Sequence, residues 1–318
     1  MVTSPALRIA FFGTPRFAVP TLERILASRH AVVGVVTQPD RPRGRGQKTS
    51  DSPVKACALA AGVPVWQPTA LKDPETLTRF ASLGADIGVV AAYGRILPET
   101  LLAIPARGMI NVHASLLPRH RGAAPVHRAI IAGDNETGVT IMRVVKALDA
   151  GPMLATVRRR IEDAETSEDV EQSLAVLGAD LLVSTLDDLA QGAAHEESQD
   201  DSAATYAHRL TKDDGIVSWA RPARDIHNLI RGLHPWPHAF TFHSGHRLIL
   251  HHALPHESAV TEPPGTIVAA HGDDLRVATG FGALRIVALQ AEGKRVMTAR
   301  EFLAGHPMAA GELLTSAP

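Results

Sequence analysis

Asn111 and His113 stand two residues apart in the apolar run Met109 to His113, and Asp149 lies downstream between Leu148 and Gly151. In an extended strand, a spacing of two puts both side chains on one face. An amide, an imidazole and a carboxylate meeting around one carbonyl carbon suit the transfer of a small acyl unit to an amine. Attack by the amine builds negative charge on the carbonyl oxygen and positive charge on the nitrogen. An amide N–H stabilises the oxygen. Imidazole titrates in the range needed to move the proton, because an α-amine has a reference pKa of about 7.7. The carboxylate can orient the ring, accept a proton through water or stabilise the charged form. No covalent nucleophile is required, and Ser115 lacks the Gly-x-Ser-x-Gly frame of a nucleophile elbow. Plainer readings stay open at this level: a strand-end Asn and His can satisfy loop backbone groups, and Asp149 can be a turn residue.

The surrounding pattern must position these groups. Residues 6–12 form a short apolar run that ends in Gly13-Thr14-Pro15, and His30 to Thr37 is a second, β-branched run. Val63 to Trp66, Ala85 to Ala92, Met109 to His113 and Gly138 to Val144 read as further strands. Helical spacing occupies Pro53 to Ala61, with Ser52 as its cap and Pro53 at its first position, then Asp73 to Leu83 and Glu168 to Leu189. Buried strands alternating with helices predict an α/β fold with a mostly parallel sheet. Ligands in such sheets bind beyond the carboxyl ends of the strands. Gly13, Gln38, Tyr93 and His113 all fall there. Gly13 alone does not make the Gly-x-Gly-x-x-Gly dinucleotide fingerprint, and no Gly-Lys-Ser/Thr follows Gly44 and Gly46 to make a phosphate loop.

Residues 191–206 are acidic and small and read as a linker. From Ala207 on, short strand-like runs separated by Gly, Pro and His predict a smaller, mainly β domain, plausible as a barrel. The expected division is therefore an α/β domain at 1–190, which carries the candidate catalytic residues, a linker at 191–206 and a C-terminal domain at 207–318. Most of the sixteen histidines lie in that last part. Their spacing matches no standard metal site and no Cys partner accompanies them, so they read as solvated or packing residues and no metal is expected.

The whole chain of 318 residues is 45% hydrophobic and 20% charged, apolar enough for a sizeable core and too apolar for disorder. The net charge of -1 means that any nucleic-acid contact must come from local patches. Arg41, Arg43, Arg45 and Lys48 can make one such patch, in a loop that Pro42, Gly44 and Gly46 allow to bend, though a solvated surface loop fits the composition equally well. Arg119, His120 and Arg121 make a second, beside the catalytic strand. Cys57 is the only cysteine, which excludes a disulfide framework and fits a reducing cytoplasm. No leader pattern opens the chain, and no apolar stretch approaches the roughly 20 residues of a membrane span.

These motifs together resemble the methionyl-tRNA formyltransferase family. The likeness rests on FFGTP (Phe11 to Pro15), TQPDRPRGRGQK (Thr37 to Lys48), SPVK (Ser52 to Lys55), VVAAYGRILP (Val89 to Pro98), INVHASLLPRHRGAAP (Ile110 to Pro125), GDNETGVTIM (Gly133 to Met142), LDAGPM (Leu148 to Met153) and HPWP (His234 to Pro237). They run in the family's order across nearly the whole chain.

The resemblance implies a Rossmann-like domain followed by an OB-like barrel. It also implies formyl transfer from 10-formyltetrahydrofolate, as co-substrate, to methionyl initiator tRNA. It makes Asn111, His113 and Asp149 the catalytic set. It places the folate beside Tyr93 and Gly94 and the segment Ser115, Leu116, Leu117 and Pro118. It assigns the tRNA acceptor arm to Arg41, Arg43, Arg45 and Lys48, with Arg119 and Arg121 close by. No obligate protein partner is implied. The chain departs from many relatives in carrying Pro152 before Met153. Three rival activities share the pattern: a formyltransferase acting on an amino-sugar nucleotide, a formyl-folate hydrolase, and an RNA-binding protein on a retired catalytic scaffold.

Overall fold

The computed structural model describes residues 6–40, 42–43, 48–256 and 260–318, and at 42–43 and 48–49 only the backbone. The chain divides into two compact units, one of residues 1–125, 136–160 and 171–207, the other of 126–135, 161–170 and 208–318.

The first unit is built on a seven-stranded sheet. Its strands run in the order Met153–Arg160, Glu136–Arg143, Met109–His113, Ile87–Ala91, Arg8–Gly13, Ala31–Val36 and Val65–Trp66. The five strands from Met109–His113 to Val65–Trp66 are parallel. The other two are antiparallel and finish one edge. The expectation of a mostly parallel α/β sheet holds. The first strand is buried from Ile9 to Gly13, as a strand covered on both faces must be. Phe12 anchors the core, with Phe80 and Tyr93 edge-on at 5.4 and 5.5 Å between ring centroids.

Local chemistry sets the helix starts. Ser52 Oγ accepts the Lys55 N–H at 3.1 Å and Pro53 occupies the first turn of Pro53–Ala60. Asp73 caps Pro74–Ser82 in the same way. The expected helix over 168–189 extends slightly, to Ser167–Gln191. Gly13 ends the first strand because a side chain does not fit: a Cβ there would lie 2.9 Å from Ala18 Cβ and 3.0 Å from the Ala91 carbonyl oxygen.

The second unit carries an antiparallel sheet in the order Ile267–His271, Asp274–Ala278, Ala283–Ala291, His246–His256, Ala239–His243 and Leu314–Thr315, with Met297–Thr298 also paired to Ala283–Ala291. The sheet curls until its two edge segments bond: Leu314 N–H donates to the Gly265 carbonyl and Ile267 N–H to the Glu312 carbonyl, both at 2.8 Å. Curling of this kind removes exposed strand edges and yields the expected OB-like half-barrel. Helix Ala223–Gly232 lies on this unit, its apolar side formed by Ile226, Leu229 and Ile230. No helix among the described residues is long and apolar enough to cross a membrane.

Candidate active site

The strand Met109–His113 sits between a parallel neighbour and an antiparallel one, and this brings the site together. Asn111 pairs with Val90 on one side and Met142 on the other, while His113 pairs with Thr140. Asn111 and His113 therefore share a face at the carboxyl edge of the sheet. Asn111 is half-buried, and among the described residues nothing holds its side-chain amide. His113 is 5% exposed. Its Nε2 lies 3.0 Å from the His120 carbonyl oxygen. A carbonyl only accepts, so Nε2 carries a hydrogen, and the neutral ring presents a bare Nδ1.

That Nδ1 faces Asp149 Oδ2 at 3.7 Å. Asp149 lies on the loop joining Glu136–Arg143 to Met153–Arg160, in a left-handed conformation with φ of 47°. Non-glycine residues seldom adopt this region, and such positions concentrate at functional sites. Oδ2 also accepts the Gly122 N–H at 2.9 Å, which aims the carboxylate. Gly151 is obligatory in this loop, since a Cβ would lie 1.9 Å from the Arg143 carbonyl oxygen.

The segment read as a linker supplies a part that sequence reasoning did not find. Gln199 Nε2 donates at 2.8 Å to the Asp149 carbonyl and at 2.8 Å to that of Gly151. Its Oε1 accepts from Arg121 Nε at 3.0 Å. Tyr206–Ala207 adds a short parallel ladder beside Arg121–Gly122. A glutamine in a polar, acidic stretch carries no sequence signal of this role. Gln199→Ala removes hydrogen bonds of about 1 kcal/mol each. We expect kcat to fall by about 5- to 30-fold with a small loss of thermal stability; steady-state kinetics beside a melting curve checks it.

The remaining expected residues fall as follows. Ser115 is fully buried, and its Oγ donates to the Arg119 carbonyl at 2.7 Å, while its own carbonyl accepts from Thr140 Oγ1 at 2.8 Å. It shapes the Leu116–Pro118 turn, where Leu117 is buried and Leu116 and Pro118 are half-buried. Arg121 is 4% exposed, with its guanidinium on Gln199 and, at 2.7 Å, on Asp201 Oδ1, so it braces the Asp149 loop. Arg119 is exposed.

Tyr93 is 1% exposed, with its ring in the Phe12 core. Burial pushes its hydroxyl above the usual phenol range, against the pull of Arg95. Its carbonyl accepts from Thr14 Oγ1 at 3.2 Å and Gln38 Nε2 at 2.8 Å. Gly94, with φ of 80°, makes room for that Gln38 amide, which a Cβ would meet at 2.6 Å.

Thr14, Gln38, Asp40, Ser52, Tyr93 and Gly94 line a cleft of about 340 Å³ at the carboxyl ends of Arg8–Gly13, Ala31–Val36 and Ile87–Ala91. Asn111, His113 and Asp149 are not in its lining, but Asn111 pairs with Val90, two residues before the lining residue Ala92. Cleft and polar trio thus occupy successive strand ends of one sheet edge.

Arg41 and Arg45 lie outside the described residues, as do the side chains of Arg43 and Lys48; the backbone of Arg43 pairs with that of Lys48. The root of this loop is held. Lys55 Nζ pairs with Asp40 and, at 2.7 Å, with Asp51, while Gln67 Nε2 donates to Asp40 Oδ1 at 2.8 Å. The Lys55 ammonium, helped by Gln67, holds the Asp40 carboxyl below its ordinary range.

Residues 7–186 match the formyl transferase family and residues 209–307 match the formyl transferase C-terminal domain. A methionyl-tRNA formyltransferase from Trichlorobacter lovleyi is 48% identical over 96% of this chain and 96% of its own length. One from Caldanaerobacter subterraneus subsp. tengcongensis is 48% identical over 97% of this chain and 100% of its own. Among solved structures, an N-formyltransferase from Helicobacter canadensis covers 88% of this chain and 99% of its own at 16% identity, with a TM-score of 0.67, which shows a shared fold. By two matched domains and near full-length identity approaching one half, the chain belongs to the methionyl-tRNA formyltransferase family.

Proposed function

We propose that this protein transfers the formyl group of 10-formyltetrahydrofolate to the α-amino group of methionyl initiator tRNA, in the cytoplasm. The observation that carries the reading is the convergence of an unengaged Asn111 amide with the facing His113 and Asp149 on one sheet edge. The α-amine attacks the formyl carbon and a new C–N bond forms. Asn111 Nδ2–H donates to the developing oxyanion. The amine must lose a proton and the departing folate nitrogen must gain one. Nδ1 of His113 and Oδ2 of Asp149 face each other as acceptors, so a proton released between them has two bases to receive it, directly or through water. Collapse of the intermediate breaks the bond to the folate nitrogen and returns the proton there. The 3.7 Å gap exceeds a direct hydrogen bond, as is common before substrate closes a site.

In this reading residues 1–190 hold the folate and the chemistry, with Tyr93, Gly94 and Ser115 to Pro118 shaping the folate side. Residues 207–318 hold tRNA. In that part Arg276, Arg295 and Arg300 are each paired with an acid; the cations of the loop at 41–48, with Arg119, are assigned to the phosphates of the acceptor arm on the family likeness. A cation that neutralises one phosphate adds about one to the slope of log K against log salt, and its removal takes that increment away. Arg45→Ala is expected to weaken tRNA binding and lower the slope by that amount. An unchanged slope in a salt titration places Arg45 off the tRNA.

The substrate assignment is tested by offering labelled 10-formyltetrahydrofolate with charged initiator tRNA, charged elongator methionyl-tRNA, an amino-sugar nucleotide, or no amine. Label should enter the initiator tRNA far faster than any other acceptor. Equal transfer to the sugar nucleotide, or release of formate alone, overturns the reading.

A further inference from the structure

We propose that His234, His238 and His251 form a binding site for one divalent transition-metal ion of the Zn²⁺ or Co²⁺ kind. One ligand nitrogen from each lies within 4.8 Å of the others. The His238 ring is 5.5 Å from that of His234 and 4.6 Å from that of His251, centroid to centroid. All three are half-buried and belong to the second unit, and none takes part in the chemistry assigned above.

Irregular backbone delivers two of the three rings. His238 has φ of 66°, a conformation that favours glycine. It directly precedes the strand Ala239–His243, whose Ala239 pairs with Leu250, so continuing the register sets His238 level with His251. His251 sits where the pairing of His246–His256 with Ala283–Ala291 skips between Leu250 and His252. Such irregularities re-aim a side chain.

The outer contacts suit ligation. His251 Nε2 lies 2.8 Å from Gln290 Oε1, and that amide is oriented by its own Nε2, which donates to the Lys294 carbonyl at 2.5 Å. Nε2 of His251 is therefore the donor, and Nδ1 keeps its lone pair. Glu168 Oε2 stands 3.5 Å from His234 Nε2. Amide and carboxylate partners behind histidines are the usual outer shell of a bound metal. The Ser167 hydroxyl donates to the His234 carbonyl and fixes the third ring's backbone.

Three imidazoles select a borderline transition metal over Mg²⁺ or Ca²⁺, which take oxygen ligands. Zn–N bonds of about 2.0–2.1 Å in a tetrahedron bring the nitrogens to about 3.3 Å apart. Rotation of the rings would close the present span, and water can take the fourth position. The ion would fasten the turn after helix Ala223–Gly232 to the sheet.

The test uses the full-length protein freed of metal by chelation and titrated with Co²⁺, followed by visible absorption and by melting temperature. His238→Gly relieves the left-handed residue and removes a ligand, and His251→Gln removes another. We expect one equivalent of four-coordinate Co²⁺, displaced by Zn²⁺, and a melting temperature raised by Zn²⁺ in the parent protein only. Each variant should lose affinity at least about 100-fold, while its metal-free melting stays close to that of the metal-free parent or rises. Saturation of both variants as tight as the parent's, or weak six-coordinate binding to the parent, overturns the proposal.

Discussion

Replacing His113 with alanine is expected to lower kcat/KM for formyl transfer by about 10²- to 10⁴-fold, the range for loss of a positioned proton-transfer group. The ring is 5% exposed, is hydrogen-bonded to the His120 carbonyl through Nε2 and faces Asp149 through Nδ1. Its removal deprives the attacking amine of a base and leaves Asp149 as the remaining acceptor. The substitution also leaves the His120 carbonyl without that donor in a buried place, at a stability cost of about 1–3 kcal/mol. Melting and activity must therefore be measured on the same preparation. A fall in rate far larger than any fall in folded fraction supports the role. Formyl transfer at the parent rate would instead take His113 out of the chemistry.

Asn111→Ala should lower kcat by about 10²- to 10³-fold, as loss of one oxyanion donor does. The KM for folate should change little, because the amide is proposed to act on charge that exists only in the transition state. Stability should hardly move. The side chain is half-buried and, among the described residues, has no hydrogen-bond partner to abandon. The contrast with His113 is diagnostic: one variant loses rate with some stability, the other loses rate alone. A rise in KM with kcat intact would make Asn111 a ground-state contact.

The legible parts of this molecule were the local ones. Period-two spacing placed Asn111 and His113 on one face, and the antiparallel neighbour Glu136–Arg143 preserves that relation. Ser52 and Pro53 announced their helix because a cap is a contact within one turn. Asp149 could be suspected from its turn, but its left-handed backbone and its bond to Gly122 depend on a partner 27 residues away. Gln199 reaches Asp149 across 50 residues from a segment whose composition reads as a spacer.

The histidine cluster was illegible for a related reason. His238 and His251 meet only because a left-handed residue and a skipped pairing turn them toward each other, and neither departure is written in residue spacing. Arg121 shows the reverse limit of composition. Its position in a basic cluster pointed outward to phosphate, whereas its guanidinium is held inside by Gln199 and Asp201.

In the proposed mechanism one formyl group is gripped where neighbouring strands end. The direct measurement is a crystal structure of this protein with an unreactive formyl-folate bound. The formyl oxygen is expected about 2.7–3.1 Å from Asn111 Nδ2, with His113 Nδ1 and Asp149 Oδ2 both turned to the space from which the amine attacks. A formyl group seated away from Asn111, with His113 and Asp149 facing other parts of the ligand, would contradict it.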